Sequence, residues 1–286
     1  MSRILNKLSA AFVLGLLPGI SLAEPVYWGQ FDLEVGAGKI ASQEGNATFI
    51  DETSPTAARA YGKLGVDFGQ FGLQVDLSRS AQKIDPDEYT GFLVGGYAAL
   101  HVKYDFGAGQ AGLFGGKGKT TPASDGTADF EFAGLEGSYN FGSVLMTASA
   151  GKFDATDDDD TDAFHDGRFA RMGALYVLGN GGVMEGGLAY FKGKQDTGAS
   201  YDMNAFVWDV KYSQAIGSSS FAWSAGLQGG RYSNGNGGDN GKYTETRAMV
   251  GFTTWFGGGS FDEAKRRGAF DVVDFARVVN AGNNVD

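Results

Sequence analysis

The 286-residue chain has no cysteine, two histidines, five prolines, and only 23 basic residues against 34 acidic ones. Without cysteine there is no disulfide framework and no thiolate metal centre. Two histidines, His101 and His165, do not make an ordinary zinc or copper set, so such a site would have to be improvised. A net charge of −11 sets the chain against nucleic acid as a partner. Long apolar runs are scarce as well. LSAAFVLGLLPGISLA, at positions 8–23, is short and interrupted by Pro18, which argues against a retained membrane helix. With Arg3 and Lys7 before it and the small residues Ser21 and Ala23 at its end, it has the form of a secretory signal peptide cut near Ala23. Residues 1–23 are therefore expected to lie outside the fold.

What the chain has in abundance is glycine and aromatics: 47 Gly, 22 Phe and 12 Tyr. With β-branched residues, these suggest many strands joined by tight turns. Alternation of period two picks out twelve segments: 26–38, 58–68, 71–79, 92–106, 109–116, 132–141, 144–151, 169–178, 183–191, 205–213, 220–230 and 245–256. Each is about the nine to eleven residues that a tilted strand needs to cross a bilayer. Their connections alternate in length. GQ, GAG, GNGG and AIGSSS are tight turns, whereas stretches such as KGKTTPASDGTAD and KFDATDDDDTDAFHDG are long and polar. Short turns at one end and long loops at the other are the habit of an up-and-down transmembrane barrel.

The faces agree with this. In the first segment Tyr27, Phe31, Leu33 and Val35 alternate with Trp28, Gln30, Asp32 and Glu34. One face is read as free of charge along all twelve segments. Near the short turns it is repeatedly aromatic: Phe68, Phe71, Tyr104, Phe106, Tyr139, Phe141, Tyr176, Tyr212 and Phe221. That is the girdle expected where a barrel meets a membrane interface. A soluble β-sandwich also alternates, but its small apolar residues (Gly29, Gly62, Gly96) would leave holes in a packed core. Lipid tails fill such irregularities.

With these segments, the N-terminal signal and the final strand TRAMVGFTTWF, the chain resembles the porin-like family of Gram-negative outer-membrane β-barrels. The resemblance implies an all-β, transmembrane up-and-down antiparallel barrel of about 12 strands over 24–256. It implies Trp255 and Phe256 as a C-terminal signal read by the barrel-assembly machinery. The implied partners are outer-membrane lipid, lipopolysaccharide and small hydrophilic solutes, with no cofactor and no enzymatic activity. Family members usually stop at the final aromatic, whereas this chain continues over 257–286.

The face opposite the apolar one carries Asp32, Glu34, Arg59, Lys63, Asp67, Asp76, His101, Lys103, Asp105, Glu136, Arg171, Glu185, Asp209, Lys211 and Arg247. Burying so many charges dry requires almost every one to be paired. A wetted lumen relieves that cost, so the expectation is a narrow passive pore with weak cation preference, lined by these residues. The rival is a sealed structural or adhesive barrel in which opposite charges lock together.

Three further stretches invite chemistry. FGGKGKTT, from Phe114 to Thr121, looks like a phosphate loop, but Leu113 stands where that motif needs glycine. It is expected to turn the fifth segment into an outer loop, with Lys117 and Lys119 in solvent. DATDDDDTD, 154–162, suggests calcium, yet Ala163 replaces the turn glycine and Phe169 the bidentate glutamate, so a solvated acidic loop is the default. A looser divalent-cation role for 154–162 remains an alternative. His165 beside Asp166 is the one candidate for a rim hydrolase, with Ser138 and Ser149 distant along the strands. In the tail, Ala269, Val272, Val273, Ala276 and Val279 oppose Asp271, Asp274 and Arg277, which predicts a short amphipathic helix in a periplasmic appendage. It has to cover its apolar side with the barrel mouth, a partner chain or the membrane surface.

Overall fold

The structure is a computed structural model that describes residues 24–44, 56–84, 91–121, 127–157, 164–196, 200–234 and 242–282. The signal segment 1–23 and the acidic residues 158–163 lie outside the described residues. The strands are β1 Val26–Glu44, β2 Thr56–Phe68, β3 Phe71–Ile84, β4 Gly91–Asp105, β5 Gly109–Thr121 and β6 Ala128–Phe141. They continue with β7 Val144–Asp157, β8 His165–Val177, β9 Val183–Asp196, β10 Ser200–Ala215, β11 Phe221–Asn234 and β12 Lys242–Phe256. Each pairs antiparallel with its sequence neighbours, and β12 returns to β1 to close a barrel. At that seam Leu33 faces Phe252 and Ala37 faces Ala248.

All twelve expected segments are strands, and their short-turn ends fall within a residue or two of the reading. Their long-loop ends run further. β1 reaches Glu44, β5 reaches Thr121 and β7 reaches Asp157. FGGKGKTT is therefore strand and not the start of a loop. Lys117 and Lys119 lie on the outside of β5, near Glu131 (3.7 Å) and Asp129 (2.9 Å) on β6. The physical reason is that ladder hydrogen bonding does not stop where the hydrocarbon does. Beyond it both faces are wet, and the alternation that marks a strand fades.

The outer surface is the apolar one. Leu33, Val35, Leu64, Leu135, Val250 and Phe252 are all exposed, as are Tyr27, Phe71, Tyr104, Phe106, Tyr139, Phe141, Tyr176, Phe221 and Phe256 near the short-turn end. In water such a continuous band would be an aggregation surface, whereas hydrocarbon is the solvent it suits. One correction applies to this face. Arg79 also points outward, at the long-loop end of β3, so the outer face is uncharged only below that level.

The tail differs most from expectation. Two short helices, α1 (Phe261–Arg267) and α2 (Phe275–Gly282), replace the single predicted helix, and residues 268–274 between them are non-helical. Nor do its contacts describe a periplasmic appendage: they are made inside the barrel. Gly257, Gly258 and Gly259 have φ of 95°, 79° and 88°, a left-handed run that only glycine adopts freely. This run reverses the chain after β12 and feeds it upward into the lumen. Glu263 then accepts a hydrogen bond from the Ser260 N–H (3.1 Å), closing the first turn of α1.

Candidate functional site

The lumen is layered along the path of the tail. At the short-turn end, Phe261 and Ala264 of α1 pack on Leu145, Leu175, Val183, Ala222 and Trp255. The Trp255 ring lies 5.0 Å from that of Phe261, so this inward aromatic supports the tail, while Phe256 faces outward. Arg266 donates to Asn140 (3.1 Å) and to the Gly142 carbonyl (2.8 Å) in the β6–β7 turn.

At mid-height the tail runs past β2, β3 and β4, and its carbonyls are taken one after another. The Gly268 carbonyl accepts from Lys63, that of Phe270 from Gln74 (3.0 Å), and that of Val272 from Tyr97 (3.3 Å). Lys103 donates to the Arg267 carbonyl (3.3 Å). These bonds to the wall are the reason that the predicted helix is interrupted, since the same carbonyls would otherwise accept helical N–H groups. Asp271 pairs with Lys63, and its other oxygen lies 3.8 Å from Arg171. Burial alone would raise the Asp271 pKa, but Lys63 and Arg171 overcome this and hold it below the usual carboxylate range.

At the long-loop end the wall is phenylalanine. Phe275 of α2 is fully buried; its ring stacks on Phe132 (4.3 Å) and meets Phe169 (5.1 Å), Phe153 (5.7 Å) and Phe191 (5.8 Å). Arg277 pairs with Glu245, which also binds Arg247 and accepts from Tyr232 (2.8 Å). Burial would lower the pKa of Arg277, yet Glu245 and its neighbours raise it above the ordinary arginine value, so its charge is permanent.

Beside the tail a cavity of about 140 Å³ remains. Eight of the fifteen expected lining residues border it: Asp32, Glu34, Arg59, Lys63, Arg171, Glu185, Asp209 and Lys211. Lys265, Asp271, Asp274 and Arg277 complete it from the tail. Lys211 lies 3.2 Å from Glu34 and 3.8 Å from Glu185, and Arg171 lies 3.4 Å from Asp209. Lys265 reaches Glu185 (3.1 Å) and Asp32 (3.7 Å). Arg247 borders a smaller cavity of about 30 Å³ above it.

The other six expected residues do not border these cavities. His101 is buried, with Nδ1 2.9 Å from Glu136 and Nε2 3.4 Å from Asp76, while Tyr61 donates to Asp76 (2.5 Å). Lys103 is covered by the tail. Asp67 is half-buried near the short turns, and Asp105 accepts from the Gly107 N–H (2.6 Å) in the β4–β5 turn. Sequence reasoning missed Gln74, Glu245 and the tail groups Lys265, Asp271, Asp274 and Arg277. It also passed over a signal that was present. Phe114, Phe132, Phe153, Phe169 and Phe191 share the face of the charged residues, which a water-filled tube would not require.

His165 sits at the long-loop rim. Its ring and the carboxylates of Asp154 and Asp166 offer ligand atoms within 4.8 Å of one another, and Asp166 has a positive φ of 51°. Ser149 lies opposite Arg171, roughly 20 Å down β8 from His165 at strand spacing.

By sequence, neither a protein-family model nor a curated protein matches the chain. By structure it is similar to an outer membrane channel from Pseudomonas putida F1, with a TM-score of 0.55 at 15% identity, covering 84% of this chain and 99% of that one. Weaker likenesses include an anion-selective porin from Comamonas acidovorans (TM-score 0.42, 14% identity, 82% of this chain and 100% of that one). The KdgM porin is comparable (TM-score 0.43, 13% identity, 78% and 99%). The likeness at a TM-score of 0.55 shows that the chain shares the β-barrel fold of that outer membrane channel.

Proposed function

We propose that the chain is a channel-type barrel of the Gram-negative outer membrane that passes small hydrophilic solutes or ions passively, with its own C-terminal segment as the stopper. The observation that carries this reading is the tail itself. A segment joined by three left-handed glycines fills a lumen whose remaining space is polar. Nothing in the wall hydrogen bonding of the barrel depends on that segment, so it is a separable obstruction. Export by a signal peptide cut near Ala23 and insertion by the barrel-assembly machinery, with Trp255 and Phe256 as its signal, belong to the same proposal. So does contact with lipopolysaccharide. Above the apolar band, Lys39, Arg79, Lys117, Lys152, Arg168 and Lys192 lie exposed on the outward side, where anionic head groups would meet them. Enzymatic activity is not part of the proposal, because His165 is far from Ser149 along the wall.

The pairing of Lys211, Lys265, Arg171 and Lys63 with carboxylates favours a second reading, a permanently sealed structural barrel. Single-channel recording in planar bilayers separates the two. The full chain should give small or rare openings, and a chain ending at Gly257 should give larger ohmic steps. Silence from the folded, shortened barrel would reject transport.

A further inference from the structure

Around the smaller cavity guanidinium donors remain after the acceptors beside them, Gln82 among them, are used. Arg59 from β2, Arg247 from β12 and Arg277 from α2 all border this space of about 30 Å³. Two carboxylates lie closest to them, and Glu34 on β1 faces Arg59 across the larger cavity. Glu245 accepts from Arg247, Arg277 and Tyr232, and Asp274 accepts the Arg277 backbone N–H (3.2 Å). Three guanidinium nitrogens are left buried without a hydrogen-bond partner: Nε of Arg59, Nε of Arg247 and Nη2 of Arg277. Arg247 is 4% exposed, so its Nε cannot be supplied from bulk solvent.

Buried donors without acceptors are costly, and charged ones more so. Three permanent cations meet at this space; of the carboxylates that face them, Glu34 is also held by Lys211 (3.2 Å) and Asp274 takes a backbone N–H, so the space between the guanidinium groups is a positive, low-dielectric pocket. A water molecule would accept a hydrogen bond but leave that charge. A monovalent anion supplies both the acceptor and the charge. Size narrows the class further: the space exceeds the ~10–15 Å³ needed for one water-sized occupant but does not hold an extended solute. A divalent oxyanion would crowd Asp274 and set a second negative charge against it.

We infer that the three arginines bind one small monovalent anion, of halide type, inside the barrel between β2, β12 and α2. Because Arg277 belongs to the tail, an anion held there ties α2 to the wall, and tail docking becomes halide-dependent. The inference rests on the docked tail and not on conduction, so a barrel that proves electrically silent leaves it standing.

Bromide is the probe. Crystals of the full chain soaked in bromide should show an anomalous peak in contact with Arg59, Arg247 and Arg277. Peaks confined to exposed residues, or water alone in the cavity, would overturn the site. In detergent solution, hydrogen-exchange protection of residues 270–279 should rise as bromide replaces gluconate at constant ionic strength. Arg59→Gln should weaken the apparent bromide affinity at least tenfold. This variant is chosen because it leaves all three partners of Glu245 in place, and Arg59→Lys serves if it fails to migrate as a folded barrel. Wild-type tail protection indifferent to bromide, or a bromide dependence that survives in the Arg59 variants, would refute the proposal.

Discussion

Replacing Phe275 by alanine tests whether the tail is a unit separate from the barrel. The side chain is fully buried and its ring meets five others, from β6, β7, β8 and β9. Truncating a phenylalanine in such surroundings costs about 3–5 kcal/mol, from lost burial and from the hole left behind. In a protein with one cooperative core that loss would fall on global stability. Here the wall is a closed ladder of strand pairs that needs no tail residue, so the loss should fall on docking alone. At ~1.4 kcal/mol per factor of ten, the ratio of docked to released tail drops by between about a hundredfold and several thousandfold. Native-state hydrogen exchange reads this directly. Amides of residues 270–279 should exchange faster by that factor in Phe275→Ala, while amides of β3 and β4 keep their wild-type protection. Single-channel recordings should show longer or more frequent openings over the same range. If tail and strand amides lose protection together, the tail is an integral part of one cooperative core and the stopper argument fails.

Three other outcomes follow from the same contacts. Asp271→Asn leaves Lys63, 3% exposed, without its carboxylate partner; tail docking should weaken by about 1–3 kcal/mol, the lower end reflecting the partial exposure of Asp271. Hydrogen exchange of the tail measures this, and Lys63→Met combined with Asp271→Asn should recover much of the loss. Because the Asp271 carboxyl is held below its ordinary range when docked, its contribution is complete above the unfolded carboxylate pKa and disappears only as pH falls through the lower docked value. Tail protection should therefore change little between about pH 5 and pH 8 on account of Asp271, and release in strong acid is the expected direction. Finally, Gly257→Ala places a methyl at φ 95° against the Tyr27 carbonyl and the Trp28 backbone. That costs about 1–2 kcal/mol from the left-handed backbone alone. The substitution should increase proteolysis within 258–282 without altering the heat-dependent gel mobility of the barrel. An unchanged cleavage rate would mean that the reversal at 257–259 does not steer the tail.

The parts that were legible in sequence are those where one solvent acts on one face. From Tyr27 to Val35, or from Val94 to Phe106, hydrocarbon admits only apolar side chains outward, and the alternation survives in the sequence. The same logic fails above the membrane, where Lys117 and Lys119 continue β5 with charge on its outer side. The tail departs from the single expected helix for a related reason. Val272, Val273, Phe275 and Ala276 are apolar on more than one side because the lumen surrounds them, so a one-stripe helix was the wrong template. Its break is written in partners roughly 175 to 205 residues away, Tyr97, Gln74 and Lys63, which no local pattern reports. The inner phenylalanines carry the missing signal: Phe132 and Phe153 share one interior with Glu136 and Lys63, which implies two different contents, one polar and one apolar. Among the described residues the tail is the apolar segment outside the strands, and its order of Arg267, Asp271 and then Phe275 matches the wall from charge to phenylalanine. Complementarity between the tail and an interior it had no local reason to match is what separates a stopper from a stray terminus.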